Sequence, residues 1–291
     1  MSRNLKRLSS ILVPHVPSCS LTSLKDDKKC SPIPEIKSLL RPANIDGAAG
    51  ALEAVEQLVG QIRTRWPATR IVLRADSGFA REALMGWCEA HGVEYVFGLA
   101  RNARLVRAIG RELREAAAEA RRTGRPARRF RELTYRTRSS WSRTRRVIAK
   151  AEQTGDKANP RFVVTSLAAR DWPARELYED LYCARGEMEN RIKEAQLELF
   201  ADRLSAHAFH VNQLRLWLAT FAHVLLEALR RLALARSELA RASAQTIRLK
   251  LMKIGAVVTV SVRRVRFALS ETCPHQAEFI AACRTLGVAA R

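Results

Sequence analysis

The strongest constraint on the fold of this chain is an alternation of helical and extended patterns in its first third. Apolar residues recur at helical spacing over residues 51–65, and Pro67 ends that pattern because proline cannot continue a helix. A short apolar run at 71–73 then predicts a buried strand. A helical pattern over 81–90 and an extended pattern over 93–98 repeat the order. This order predicts an α/β layer with a partly parallel sheet.

The rest of the chain carries further helical and extended patterns. Predicted helices cover residues 101–122, 173–199, 208–239 and 276–286, and predicted strands cover 129–135, 145–151, 161–166, 257–262 and 265–269. The apolar residues of the 208–239 helix are assigned to the core or to a dimer contact rather than to a membrane.

Net charge indicates the class of partner. The chain has 51 Lys and Arg against 29 Asp and Glu, which leaves +22. So large a surplus favours DNA, RNA or an anionic membrane surface as partner. Residues 101–150 hold 17 basic and 4 acidic side chains, which is more than half of the net charge. Because acidic partners are sparse there, the arginines at 121–131 are expected to contact phosphates rather than to form a solvated face.

Composition also bears on location and on the start of the chain. The longest apolar run, 216–226, is about half of what a bilayer requires, and residues 1–20 lack the hydrophobic region of a secretory signal. The six cysteines show no CxxC spacing, which favours reduced thiols in the cytoplasm. Residues 1–37 hold 5 Lys and 2 Arg, whereas 38–291 hold 5 Lys and 39 Arg. The change predicts that 1–37 are an unrelated or disordered leader.

The first candidate site residue is Asp76, which follows the predicted strand in the segment Arg-Ala-Asp-Ser-Gly-Phe that ends at Phe79. Acidic residues at strand ends of α/β folds commonly face active sites or hold metals. The alternative is a turn aspartate whose side chain caps the helix that begins near Ala80. The segment alone does not decide between these roles.

The second candidate is a polar stripe on the predicted 173–199 helix. At about 100° per residue, the stripe places five side chains on one narrow face. These are Tyr182, Arg185, Glu189, Lys193 and Gln196. One interpretation is a solvated face with ion pairs between residues four apart. The other is functional, because a carboxylate flanked by cations and a phenol can hold a metal and grip phosphates.

Together these segments resemble the DDE transposases of bacterial insertion sequences, and most closely the insertion sequence 1380 group. The signature of that branch is Tyr, two residues, Arg, three residues, Glu, six residues, Lys. Tyr182, Arg185 and Glu189 fit this spacing, whereas Gln196 stands where the family has Lys, and Lys193 is the nearest cation. The segment around Asp76 resembles that of the second catalytic Asp, and residues 40–44 resemble the segment before the first core helix. The resemblance covers residues 38–291.

The resemblance implies an RNase H-like core with a basic insertion. Residues 38–98 would form the first part of the core, 99–172 a basic β-rich insertion, and 173–291 the Glu-bearing helix and the C-terminal helical region. Two divalent ions, Mg²⁺ or Mn²⁺, would be held by carboxylates that include Asp76 and Glu189. The ions would activate water or a 3′-hydroxyl for attack on a phosphodiester.

The resemblance also implies residues that contact double-stranded DNA, at the insertion-sequence ends and at the target. Tyr182, Arg185 and Lys193 would contact phosphates near the transposon end. Trp141 would stack on a flipped base, and the alternative is a tryptophan packed in a hairpin. The expected location is the cytoplasm, in association with the nucleoid, and a homodimer is one candidate assembly.

The first catalytic Asp of the family has no counterpart in the expected place, because the strands that open the fold are missing before residue 51. Asp26, Asp27 and Asp46 are poor replacements, since none follows a predicted strand. Two ions at close range need a bridging carboxylate. The expectation is therefore a truncated transposase that is inactive alone. A non-enzymatic DNA-binding remnant and an unfolded decay product are the alternatives.

Overall fold

The computed structural model describes residues 10–12, 36–38, 40 and 45–287. The chain divides into two compact units, which are taken separately below. Of the described residues, the first unit contains 10–12, 36–37 and 45–189, and the second contains 38, 40 and 190–287. In the described part of the chain, no helix is long and apolar enough to cross a bilayer.

The first unit is built on a mixed sheet. Two short strands near the start of the chain, β1 and β2, pair only with each other. The sheet itself has six strands in the order β3-β4-β8-β6-β5, and β7 pairs with β6 at the side of this path. The strands are β1 Ser10–Leu12, β2 Ile36–Ser38, β3 Val72–Ala75, β4 Glu94–Leu99, β5 Ala127–Tyr135, β6 Arg145–Thr154, β7 Lys157–Ala158 and β8 Arg161–Thr165.

The pairing of the strands confirms a partly parallel sheet. β3 and β4 are parallel, with Val72 opposite Glu94, and the remaining pairs of the sheet are antiparallel. The strands expected in the basic region therefore continue the same sheet as β3 and β4, and both stretches lie in one compact unit. The antiparallel pairing of β4 with β8 joins residues 99–172 to the sheet, so this basic region does not form a separate layer.

Alternation along the central strands gives the sheet two buried faces. In β4, Tyr95 and Phe97 pack into the larger core, where they meet Val55, Met85 and other residues of the helices over one face. Val96 points to a smaller core on the other face. Because both faces are covered, the central strands read as continuous apolar runs in the sequence.

The helices match most of the predicted positions. The longer ones are α1 Ala51–Arg65, α2 Glu82–Ala90, α3 Ala103–Ala108, α4 Gly110–Thr123, α6 Arg185–Leu197, α7 Phe209–Leu232 and α9 Gln276–Thr285, and the short ones are α5 Ala174–Glu176 and α8 Ala244–Ile247. The single helix predicted over 101–122 is wrong, because the chain breaks at the fully buried Ile109, whose φ of −110° and ψ of 21° are not helical. Asn102 caps α3 by accepting a hydrogen bond from Leu105 N at 3.0 Å.

The second unit is mainly helical. The helix predicted over 208–239 ends earlier, at Leu232, where Leu234 N bonds to Leu229 O and a separate turn over Glu238–Arg241 follows. Leu226, Leu234 and Ile247 belong to its core. The predicted hairpin is confirmed as β9 Ala256–Val260 paired antiparallel with β10 Val265–Leu269. Every residue of these two strands is exposed.

Candidate functional site

The carboxyl end of β3 carries the first candidate residue. The strand ends at Ala75, and Asp76 follows with extended backbone and an exposed side chain. Asp76 Oδ1 accepts a hydrogen bond from Gly78 N at 2.8 Å and so caps the short turn Ser77–Phe79. The capping role left open by the sequence is thus present. It engages one carboxylate oxygen of a side chain that is exposed at the strand end.

The second candidate segment begins in a π-helical turn, Leu177–Tyr182, and not in a regular helix. Cys183 N bonds to Tyr178 O at 2.9 Å, which is a five-residue step. The ring of Tyr178 lies 5.5 Å from that of Tyr182 and 5.6 Å from that of Phe130, which seats the turn on the sheet. The prediction of one continuous helix and one straight polar stripe is therefore wrong, because Tyr182 precedes the break between the turn and α6. Such turns occur frequently at functional sites.

The two candidate segments meet at the carboxyl ends of β3 and β4. Arg74 Nη1 donates a hydrogen bond to Leu181 O at 2.8 Å, across 107 positions of the chain. A Cβ built on Gly98 would lie 2.6 Å from the hydroxyl oxygen of Tyr182 and 3.3 Å from the backbone carbonyl carbon of Asp76. The tyrosine hydroxyl therefore lies beside the backbone of Asp76, and the absence of a side chain at Gly98 makes this approach sterically feasible.

The other residues of the stripe lie on α6. Arg185 and Glu189 occupy its first two turns, and their side chains lie outside the described part of the structure. Lys193 is exposed one turn further on, and Gln196 is half-buried. Exposure leaves the ammonium group of Lys193 accessible to a phosphate.

Among the described side chains of the candidate transposase site, Asp76 is the one suitable metal ligand. The exposed carboxylate of Asp76 is the hard oxygen donor that Mg²⁺ prefers. The single cluster of three potential ligands found among the described residues does not include Asp76. One carboxylate does not fit the needs of two ions, so the described residues do not complete a two-ion centre.

Asp46, one of the carboxylates considered as a replacement ligand, is engaged by neighbouring groups. Its Oδ2 forms an ion pair with Arg81 Nη2 at 2.7 Å, and its Oδ1 accepts a hydrogen bond from Ala48 N at 2.8 Å. The bond from Ala48 lowers the pKa of this carboxyl, and Arg81 adds to the effect. Both oxygens are thus engaged. Asp26 and Asp27 lie outside the described residues.

Trp141 is packed inside the first unit. It is 4 % exposed, its ring meets that of Tyr135 edge-on at 5.7 Å, and the guanidinium of Arg145 lies 5.5 Å above it. Arg136 Nε donates to the carbonyl oxygen of Trp141 at 3.1 Å. This geometry favours the packing interpretation over stacking on a base, because the faces of the ring are covered by protein.

The basic region is more internally paired than its composition suggests. Eight of the cations in residues 101–150 form ion pairs with carboxylates, among them Arg145, whose side chain is only 2 % exposed between Glu82 and Glu89. Exposed arginines without an ion pair in the described residues include Arg107, Arg114 and Arg121, spaced seven apart. Arg114 and Arg121 lie two turns apart on α4 and offer positive charge to phosphates, whereas Arg107 lies on α3, before the break at Ile109.

Sequence reasoning missed a buried charged cluster in the second unit. The guanidinium of Arg230, 3 % exposed, forms ion pairs with Glu194 and Glu227. His223 is 6 % exposed beside them, and burial lowers its pKa, which favours the neutral imidazole. The signal available in the sequence was the four-residue spacing of His223 and Glu227 on a predicted helix.

Comparison with known families places the chain. The sequence profile of the family described as transposase DDE domain group 1 matches residues 34–289, which is most of the chain. The chain belongs to this family. Its members act in DNA transposition, which implies a DNA substrate, and DDE transposase domains generally use divalent metal ions. A search of curated proteins finds no match.

Proposed function

We propose that this protein derives from the insertion sequence 1380 group of transposases and acts on the ends of an insertion sequence. The reaction is metal-dependent cleavage of a phosphodiester followed by strand transfer, on an RNase H-like core. The observation that carries the proposal is the hydrogen bond from Arg74 to Leu181, which joins the Asp-bearing segment to the segment that begins the Tyr, Arg, Glu signature. Family membership supports the same conclusion.

In this proposal Asp76 and Glu189 are the second and third catalytic carboxylates and hold Mg²⁺ or Mn²⁺. The bound ions supply a Lewis acid that lowers the pKa of attacking water and offsets charge on the phosphate. Asp76 suits this role through its position at a strand end and its exposed side chain. The hydroxyl group of Tyr182 lies next to the backbone of Asp76, where it could contact the phosphate that the metal ions bind.

We further propose that the chain by itself does not complete the reaction. This rests on the donor set: Asp76 and Glu189 are two carboxylates, whereas two ions at close range need a third to offset their repulsion. Both oxygens of Asp46 are engaged by Arg81 and Ala48, so Asp46 does not serve as the third carboxylate. A non-enzymatic DNA-binding role is the alternative that the charge of +22 favours.

Contacts to double-stranded DNA are assigned to Tyr182, Arg185 and Lys193. Phosphate contacts of this kind orient DNA and do not read its sequence. Trp141 is a weaker candidate, because stacking on a base requires its ring to leave the core. A cytoplasmic, nucleoid-associated location and a homodimer follow from the same proposal, since transposition joins two DNA ends.

The decisive experiment is a strand-transfer assay with transposon-end DNA and Mg²⁺, combined with a binding assay on the same DNA. We expect saturable binding without turnover. Asp76→Asn is the matched variant, and it should leave binding unchanged because it removes only a metal ligand. Clear turnover that disappears in Asp76→Asn would contradict inactivity and support the catalytic assignment.

The same sample tests the remaining alternative. A cooperative thermal transition is expected of a chain with this buried core. A broad, non-cooperative loss of signal would favour an unfolded decay product over a folded DNA-binding protein.

A further inference from the structure

Three side chains in the second unit form a compact set of metal-ligating groups. Glu194 lies on α6, and His223 and Glu227 lie one turn apart on α7. Each offers one ligand atom, and these atoms all lie within 4.8 Å of one another. Glu194 is 8 % and His223 is 6 % exposed, whereas Glu227 is half-buried, so the cluster is buried on one side and reaches solvent on the other. None of these residues belongs to the candidate transposase site.

Among the described residues, the imidazole of His223 has an unpaired buried nitrogen, which also points to a missing ligand. Its Nδ1 is buried, and it has no hydrogen-bond partner in the described residues. Buried polar atoms are nearly always hydrogen-bonded, because an unpaired one loses its hydration without compensation. One ring nitrogen of His223 lies within 4.8 Å of a carboxylate oxygen of each glutamate, so a cation held jointly by the three side chains would give the imidazole a partner.

We propose that Glu194, His223 and Glu227 bind one divalent transition metal ion of the Zn²⁺ class. One imidazole nitrogen and two carboxylate oxygens are a ligand set that Zn²⁺ accepts, with a further position open to water. The nitrogen ligand selects against Mg²⁺ and Ca²⁺, which prefer oxygen ligands only. The ion would join α6 to α7 within the second unit.

Two arginines contact the same carboxylates and affect how a metal ion would bind to them. Arg230 donates to both oxygens of Glu194, and the backbone N–H of Ala244 donates to its Oε1. These contacts orient the carboxylate, and a bound metal would share its oxygens with them. In both ion pairs of Glu227 the contacting atom is its Oε1. Arg191 lies 3.0 Å from Glu194 and 3.2 Å from Glu227, and its side chain is 44 % exposed. Arg191 can therefore swing into solvent, and it competes with the metal.

The experiment is a titration of the full chain with Zn²⁺ and, separately, Co²⁺ after removal of metals with a chelator. We expect one saturable site, a melting temperature that rises with Zn²⁺, and a Co²⁺ spectrum without the intense sulfur charge-transfer band that cysteine ligands would give. Absence of saturable binding, or a strong sulfur band, would overturn the proposal.

Variants separate the metal role from a purely structural one. His223→Ala should weaken Zn²⁺ binding by at least about tenfold, and Glu227→Gln should do the same if the alanine variant fails to fold. His210→Ala, an exposed histidine on the same helix, is the matched control and should leave binding unchanged.

Arg191→Gln gives the sharpest test, because removal of a competing cation should tighten Zn²⁺ binding several-fold. A structural ion-pair network alone predicts no gain in metal affinity from this change. Unaltered affinity in both Arg191→Gln and His223→Ala would place the bound metal elsewhere and overturn the proposal.

Discussion

Gly98 lies where the two segments of the candidate site approach each other. Any Cβ at this position would lie 2.6 Å from the hydroxyl oxygen of Tyr182 and 3.0 Å from Ser77 N. Real Cβ atoms do not approach that closely, and Ser77 N is backbone that cannot move by rotating a side chain. The glycine therefore sets how near the tyrosine can come to Asp76.

Gly98→Ala should accordingly destabilise the protein by about 1–3 kcal/mol, the usual cost of an overpacked site. Tyr182→Phe in the same chain should restore part of the loss, because it removes the oxygen in closest conflict. Chemical denaturation of the three proteins measures both effects. Gly60→Ala is the control, since nothing lies near that position on α1 and alanine favours helix. Equal stability of Gly98→Ala and wild type would show that the close approach is not kept in solution.

Trp141 gives a second prediction at this scale. Because its ring is buried in the main core, Trp141→Ala should cost about 3–5 kcal/mol of unfolding free energy. The exposed Trp217, 53 % accessible on α7, is the control and should cost far less. A Trp141→Ala protein of normal stability that has lost affinity for transposon-end DNA would instead support base stacking.

Individual residue roles were the least predictable level from sequence. Asp76 was correctly placed at a strand end, because a short apolar run followed by Asp-Ser-Gly has few other structures. The burial of Trp141 and the network around Glu194 and Arg230 depend on contacts between distant parts of the chain. No local pattern encodes those contacts.

At the scale of elements, the π-helical turn before α6 is held from several sides. Arg74 on β3 donates to the carbonyl oxygen of Leu181, and the ammonium group of Lys150 lies 5.4 Å above the ring of Tyr178. Periodicity predicted a helix over this stretch, and it could not show the break. The break depends on these tertiary contacts and not on local propensity, as does the interruption at Ile109.

Arg74→Gln should loosen this turn without unfolding the sheet. A hydrogen bond from a charged group contributes about 1.5–3 kcal/mol, so the amide of Cys183 should exchange with solvent roughly tenfold faster or more. Hydrogen exchange resolved at that amide is the measurement. Arg70→Gln removes an exposed ion pair with Glu94 and is the control. Unchanged exchange in Arg74→Gln would remove the proposed link between the two segments.

The contact of α2 with β6 predicts an acid dependence of stability. The hydrogen bond from Arg145, followed by that from Ser142, lowers the pKa of Glu82 from 4.5 to about 2. A lowered pKa in the folded state stabilises the protein above the unfolded pKa of about 4.5, and this contribution is lost as the pH falls towards 2. Glu82→Gln should therefore be less stable than wild type at neutral pH.

The gap between Glu82→Gln and wild type should narrow as the pH falls below about 4.5. Urea denaturation across this range measures it. Glu56→Gln, on the exposed face of α1, is the control and should follow wild type. A gap that stays constant with pH would rule out this ion pair as the source of acid sensitivity.

At the scale of the whole molecule, charge and the order of elements were the most predictable properties. The alternation over residues 51–98 predicted a partly parallel sheet, since helical connections bring strands back in the same direction, and β3 and β4 form its parallel pair. The number of cations was equally plain in the sequence. Their pairing was not, because acidic partners such as Glu82 and Glu152 come from distant positions.

Affinity for double-stranded DNA should fall steeply with salt, because each neutralised phosphate releases counterions. Replacing Arg114 and Arg121 by Gln should reduce the slope of log affinity against log salt by about 2, roughly one for each contact. Arg111→Gln is the control on the same helix, since that arginine is paired with Glu115. An identical slope in the double variant would place the DNA elsewhere on the protein.

The hairpin of β9 and β10 has a practical consequence for handling the protein. Val258 lies opposite Phe267, and each is more than half exposed, as are most of the apolar side chains around them. Two strands alone are marginally stable in water. We therefore expect this hairpin to promote aggregation at high concentration and to be a site of proteolysis. Substitution of these two residues by threonine or lysine would reduce the exposed apolar surface and keep the strand backbone. The resulting protein would be better suited to crystallisation.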